Sequence, residues 1–173
     1  MKAMRKYISL VDGFNYGLGR IAMYGIFVLM GILLWSSYNK TFASPQLWTL
    51  EMAQFVMVGY YILGGPYALQ MGSNVRMDLF YAELTPRKKA WTDSITVMFL
   101  LIYLVILLWG GIESTLYSFK YGGERSPTAW RPYMWPVKVT MCIGIFLMLL
   151  QAVSELFKDI LFLKSGEDTR DAL

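Results

Sequence analysis

The sequence contains no histidine, a single cysteine at Cys142, and only 16% charged residues. Without histidine the chain lacks the commonest metal ligand and the side chain that ordinarily titrates near neutral pH. A lone cysteine excludes an internal disulfide framework and a dithiol redox couple. The scarcity of charge is also uneven. No Asp, Glu, Lys or Arg occurs in 21–39, 52–75, 94–112 or 139–154, windows of 19, 24, 19 and 16 residues. A helix crosses a bilayer core with about 20 apolar residues, so the first three windows suffice alone. The fourth borrows from its flanks, where Lys138 can snorkel toward water.

What is present agrees with what is missing. Hydrophobic residues make up 56% of the chain and the mean hydropathy is +0.43, outside the ordinary soluble range. A soluble helical bundle needs polar faces at helical spacing, and 94–112 has none. The expected fold class is therefore an all-α integral membrane protein. Four transmembrane helices are expected at about 21–39, 48–71, 91–117 and 136–157, with amphipathic surface helices at the N-terminus and between spans two and three. This divides the chain into an interfacial segment (1–19), a membrane domain (20–160) and a polar tail (161–173).

The first segment places Met4, Tyr7, Ile8, Val11, Phe14 and Leu18 on one stripe, with Lys2, Arg5, Lys6, Ser9 and Asp12 mostly opposite. Such a helix suits the bilayer interface. Its charges, and the lack of a small-residue cleavage site before the apolar run, argue for a retained first span rather than a signal peptide. Trp35 and Tyr38 close that span at headgroup level, and the short link 39–47, with Pro45, joins two antiparallel spans. The second span holds Gly59, Gly64, Gly65 and Pro66. Proline frees a backbone carbonyl and bends a helix, so this face is expected against protein rather than lipid. After Asp78 a short surface helix is expected over 79–84, and Thr85-Pro86 then starts the next helix. Arg87, Lys88 and Lys89 follow, opposed by the helix dipole at about 0.3–1 kcal/mol each. An anionic leaflet offsets this by about 1 kcal/mol per residue.

Eleven of the 16 Lys and Arg residues fall in the N-terminal segment, the loop between spans two and three, and the tail. Lys40, Lys120, Arg125, Arg131 and Lys138 lie on the other side, so both termini are expected in the cytoplasm.

Three ionisable groups at span ends are candidates for a role: Glu51, Glu113 and Lys138. The expected role is structural, for example pairing of Glu113 with Lys138 or Arg131 across adjacent spans, and attachment of a partner helix or subunit by Glu51. Gln54, Gln70 and Gln151 read as hydrogen-bonding glue worth about 0.6 kcal/mol each in lipid. No phosphate loop, acid pair or nucleic-acid module is present, so no catalytic, cofactor-binding or metal-binding residue and no nucleic-acid partner is expected.

The second span and its exit carry a resemblance. Trp48, Glu51, the run Gly59 to Gly65, and then Gly72-Ser73-Asn74-Val75-Arg76-Met77-Asp78 resemble the small membrane subunit, the Q subunit, of tripartite ATP-independent periplasmic (TRAP) transporters. The similarity extends to Pro86-Arg87-Lys88-Lys89, Glu124-Arg125-Ser126 and Trp135-Pro136-Val137-Lys138; Asn74 stands where histidine is common. The resemblance implies a non-catalytic scaffold in the bacterial inner membrane. Its partners would be a large multispan elevator subunit that carries organic anions with sodium, a periplasmic substrate-binding protein, and phospholipids. Gly64, Gly65, Pro66, Asn74, Arg76 and Asp78 join Glu51, Glu113 and Lys138 as candidate interface or structural residues. Two alternatives stand beside it: the small subunit of a tricarboxylate-type tripartite carrier, and an autonomous four-span proton-coupled exporter.

Overall fold

A computed structural model describes residues 2–72, 85–121 and 123–165. Among the described residues five helices follow one another: α1 (Lys2–Met23), α2 (Gly25–Phe42), α3 (Thr49–Gln70), α4 (Pro86–Lys120) and α5 (Trp135–Ser165). Among the described residues the only β pairing is an isolated antiparallel bridge between Arg125 and Tyr133.

α1 and α2 are nearly one rod, interrupted at Tyr24, so the break falls five residues later than the end of the expected interfacial segment. At the far end of α3, Met71 N–H donates to Tyr67 and Gly72, at φ 63°, donates to Leu69. A left-handed glycine just past the last turn is a common helix stop. Thr85 is extended and Pro86 opens α4 as expected, although the Thr85 hydroxyl makes no capping bond. The anticipated surface helix at 79–84, the tail beyond Ser165, and Asn74, Arg76 and Asp78 lie outside the described residues.

The helices form a row, α2–α3–α5–α4, with α1 laid across α3 and α5. α2 packs on α3, with Gly25 beside Tyr60 and the Ser36 hydroxyl on Thr49. α4 packs chiefly on α5, and the core lies between them. Leu104, Ile145 and Ala152 are buried there, flanked by Val97, Leu101, Leu108 and Met148. These positions recur at steps of four and three, the spacing of interlocked side chains in nearly antiparallel helices.

Small residues set how closely α3 and α5 approach. A Cβ on Gly144 would overlap the Ile62 side chain and lie 3.0 Å from its carbonyl oxygen. That carbonyl is the one Pro66 leaves without its helical N–H partner. Gly144 therefore lets α5 approach the Ile62 side chain and backbone more closely than any residue with a Cβ allows. Gly65 seats Met148, whose Sδ would lie 2.7 Å from an added Cβ. The helix stays continuous through Pro66, which is buried.

Among the described residues three helical segments are long and apolar enough to cross a membrane: Met4–Phe42, Trp91–Lys120 and Trp135–Lys164. They contain three of the four expected spans. α3 is not among them, because Gln54, Gln70, three tyrosines and its glycines dilute its apolar run. Exposed Phe27, Leu34, Phe99, Ile106 and Leu116 are what a lipid-facing surface presents.

Candidate functional site

The polar side chains gather at the two ends of the row. At the end that carries the α4–α5 loop, which the charge bias predicts to be the outer one, Glu51 sits in the first turn of α3, where unpaired backbone N–H groups favour a negative charge. It is buried, with 4% exposure, and its Oε1 accepts a hydrogen bond from the Thr128 hydroxyl of the loop joining α4 and α5. Its second oxygen has no hydrogen-bond partner among the described residues. Beside it Ser36 of α2 and Thr49 of α3 share a buried hydroxyl pair at 3.0 Å. Glu51 thus fastens the α4–α5 loop of its own chain.

Lys138, one turn into α5, fastens the other side of that loop. Its ammonium pairs with Glu124 and donates to the Ser118 hydroxyl at 2.8 Å. The Lys138 hydrogen bond and charge, together with the Ser118 hydroxyl, hold the Glu124 carboxyl below its ordinary range. The loop is closed internally as well. Met134 N–H donates to Glu124, Ser126 N–H donates to Pro132, and the Arg125 guanidinium donates to the Tyr133 hydroxyl at 2.7 Å. Arg131 holds a left-handed φ of 49° within it.

The expected pairing of Glu113 with Lys138 or Arg131 does not form. Glu113 is exposed and accepts from Trp109 Nε1 at 2.9 Å, one turn back on the same helix. The reason is rotational. Lys138 reaches the face of α4 that carries Ser114 and Ser118, and Glu113 is turned about 100° away from Ser114. Gly64 also departs from the close-packing expectation, since nothing lies within 4 Å of a Cβ placed there, while Gly65 and Pro66 pack inward. Glu51, Glu113 and Lys138 are therefore not one site.

At the opposite end, predicted to be the inner one, stands a network that the sequence reading largely missed. Asp12 of α1 is fully buried, and its Oδ1 accepts from Gln151 Nε2 at 2.9 Å and Ser154 Oγ at 2.8 Å. Its Oδ2 faces the Lys158 ammonium at 2.6 Å, and Lys158 also pairs with Glu155 at 2.8 Å. Asn15 Nδ2 donates to Gln151 Oε1 at 2.7 Å, and the Tyr7 hydroxyl donates to the Leu150 carbonyl at 3.2 Å. The expectation that Asp12 lies on the outward face of an interfacial helix is corrected by this burial. α1 turns Ile8, Val11, Asp12 and Asn15 inward and leaves Leu10 and Phe14 exposed. When lipid surrounds the bundle, apolar residues lose nothing by facing outward and polar ones are driven inward. The available signal was the polar run Gln151, Ser154, Glu155 and Lys158 at helical spacing on α5, with Asp12 and Asn15 three apart on α1.

These clusters can tie helices together, but they do not form a reaction centre. Among the described residues no three His, Cys, Asp or Glu side chains gather as a metal site requires. Cys142 is half-buried, 3.4 Å from the Thr115 hydroxyl. A groove of about 430 Å³ between α4 and α5 is lined by Tyr103, Ile106, Gly110, Ser114, Lys138 and Met141, and it is almost wholly apolar.

The family described as "Tripartite ATP-independent periplasmic transporters, DctQ component" matches residues 29–162. No curated protein and no solved structure gives a significant match. The match covers α2 from its second turn through nearly all of α5, including both outer-loop anchors, Glu51 and Lys138. The chain therefore belongs to the DctQ family, the small membrane component of tripartite ATP-independent periplasmic transporters.

Proposed function

We propose that this chain is the non-catalytic scaffold of a sodium-coupled secondary transporter, packing against the large elevator subunit that takes up organic anions from a periplasmic binding protein. In this reading it resides in the inner membrane with both termini cytoplasmic, and α3 completes a set of four spans.

One observation carries the reading: the buried charges are engaged within the chain. Asp12 and Lys158 bind each other and Glu51 holds Thr128 through one of its oxygens, so each is tied to a partner within the chain. The apolar groove likewise offers an organic anion no cage of donors. A subunit built this way contributes area and rigidity to a carrier rather than a pathway.

Affinity purification from native membranes tests the proposal. A much larger multispan protein should co-purify, and uptake in proteoliposomes should require both. A stable homodimer that transports alone would overturn the reading. Within the complex, Glu51→Gln should weaken assembly and leave the ion-to-substrate ratio unchanged; a changed ratio on purified complex argues against a scaffold.

A further inference from the structure

The groove between α4 and α5 takes no part in the scaffold role, and its shape is specific. Its floor is open at Gly110, where nothing lies within 4 Å of an added Cβ. Along α4 its lining runs from Tyr103 to Ser114, a rise of about 16 Å. Tyr103 stands near the middle of the apolar segment Trp91–Lys120, so the groove occupies one half of that span. Half of a hydrocarbon core about 30 Å thick is one leaflet. In the other half α4 and α5 are closed on each other, because Val97, Leu100, Leu101 and Met148 pack onto Leu104, Ile145 and Ala152.

This length decides between occupants. A helix from another protein, or from a second copy of this chain, crosses both leaflets and needs a seam along the whole of its neighbours. A groove that ends at the midplane matches an acyl chain, which ends there too. An unfilled hollow would also forfeit the dispersion contacts of its lining.

The mouth of the groove carries two opposite charges. Lys138 lines it and pairs with Glu124, and the two side chains keep 19% and 47% exposure. Ser118 and Lys138 both bond one carboxylate oxygen of Glu124, Oε2, so Oε1 can accept from an ammonium. The Lys138 contact with the Ser114 carbonyl is long, at 3.4 Å, and that proton can turn to a phosphate oxygen instead. A zwitterionic headgroup satisfies both partners, whereas a purely anionic one sets its charge beside Glu124 without an ammonium to offset it.

We propose that the groove holds one acyl chain of a phospholipid from the leaflet on the α4–α5 loop side, its phosphate on Lys138 and a primary ammonium of its headgroup on Glu124. Only the membrane placement of α4 and α5 is needed for this, not the scaffold role.

Two measurements on the full chain test the site. A photo-crosslinking residue is placed at Ile106, which lines the groove and is 67% exposed, and another at Phe27 on α2 as a reference for bulk lipid. Both are irradiated in native membranes. Separately, the purified chain is equilibrated in detergent with equimolar phosphatidylethanolamine and phosphatidylglycerol, and retained lipid is counted by native mass spectrometry. Ile106 should give phospholipid adducts richer in phosphatidylethanolamine than those at Phe27. The chain should retain a single phosphatidylethanolamine, in preference to phosphatidylglycerol by about fivefold. Gly110→Leu fills the floor and should cut retention by about fivefold or more while keeping the thermal midpoint. Gly64→Leu, equally open but on α3, should retain lipid as the unsubstituted chain does. Glu124→Gln should bring the two lipids to equal retention. A polypeptide adduct at Ile106, an adduct composition there equal to that at Phe27, unchanged retention with Gly110→Leu, or equal retention of both lipids by the unsubstituted chain would overturn the proposal.

Discussion

Asp12 is the residue on which the inner end depends. It accepts from Gln151 and Ser154 through one oxygen and pairs with Lys158 through the other, with no access to solvent. Removing one member of a buried ion pair strands the other, at a cost of about 3–5 kcal/mol. Asp12→Ala should therefore lower the thermal midpoint of the purified chain strongly, and Lys158→Met should do the same. The double variant Asp12→Leu/Lys158→Met should recover much of the loss, because apolar replacement of both partners is often neutral. Additive losses in that double-mutant cycle would show that the two residues are not coupled. Gly144 makes the opposite kind of prediction. Leucine there collides with Ile62 and forces α3 from α5, an overpacking cost of about 1–3 kcal/mol. Gly144→Leu should reduce folded yield in detergent, where Gly64→Leu should not.

At the scale of elements, the outer loop is a lid clipped at both sides, by Glu51 through Thr128 and by Lys138 through Glu124. The Glu124 clip has a definite pH dependence. Its folded carboxyl titrates below the ordinary value, so its contribution is complete above the unfolded pKa and is lost as pH falls through the depressed folded one. Protease nicking of the loop should be flat from neutral pH down to the usual carboxylate range and rise only below it. Lys138→Met should make nicking frequent at every pH. The element pattern was largely readable in advance, because charge-free windows and turn residues delimit helices whatever they pack against. The facing of α1 was not. Its apolar stripe pointed to a helix lying in the bilayer interface with Asp12 opposite, whereas the packed chain turns Ile8, Val11, Asp12 and Asn15 inward and leaves Phe14 outward. Apolar periodicity locates a buried face only when the surroundings are water. Glu113 failed for a related reason: spacing along the chain brought it near Lys138, and a single residue of helical rotation took it away.

For the whole molecule the informative property is asymmetry of support. α3 and α5 are held by several neighbours, while α4, about 52 Å long by its 35 residues, rests chiefly on α5. Local opening follows contact density. Hydrogen exchange in detergent should accordingly find α5 between Ile145 and Ala152 among the slowest amides, and the first turns of α4 among the fastest helical ones. Equal protection in both would contradict a row built outward from α3 and α5. The family, too, was legible from the sequence, because its motifs sit at helix entrances and exits, where chemistry is written in a few residues. The inner network was less legible because its members lie at opposite ends of the chain.

That separation has a consequence for how the protein is made. Ser154 and Asp12 are 142 residues apart, an interval that takes roughly 7–28 s to synthesise at about 5–20 residues per second. Throughout that time the first helix leaves the ribosome with a carboxylate that has no mate, and α1 is clasped only when the last helix enters the bilayer. A nascent chain truncated before Gln151 should therefore carry an undocked N-terminus that membrane proteases attack.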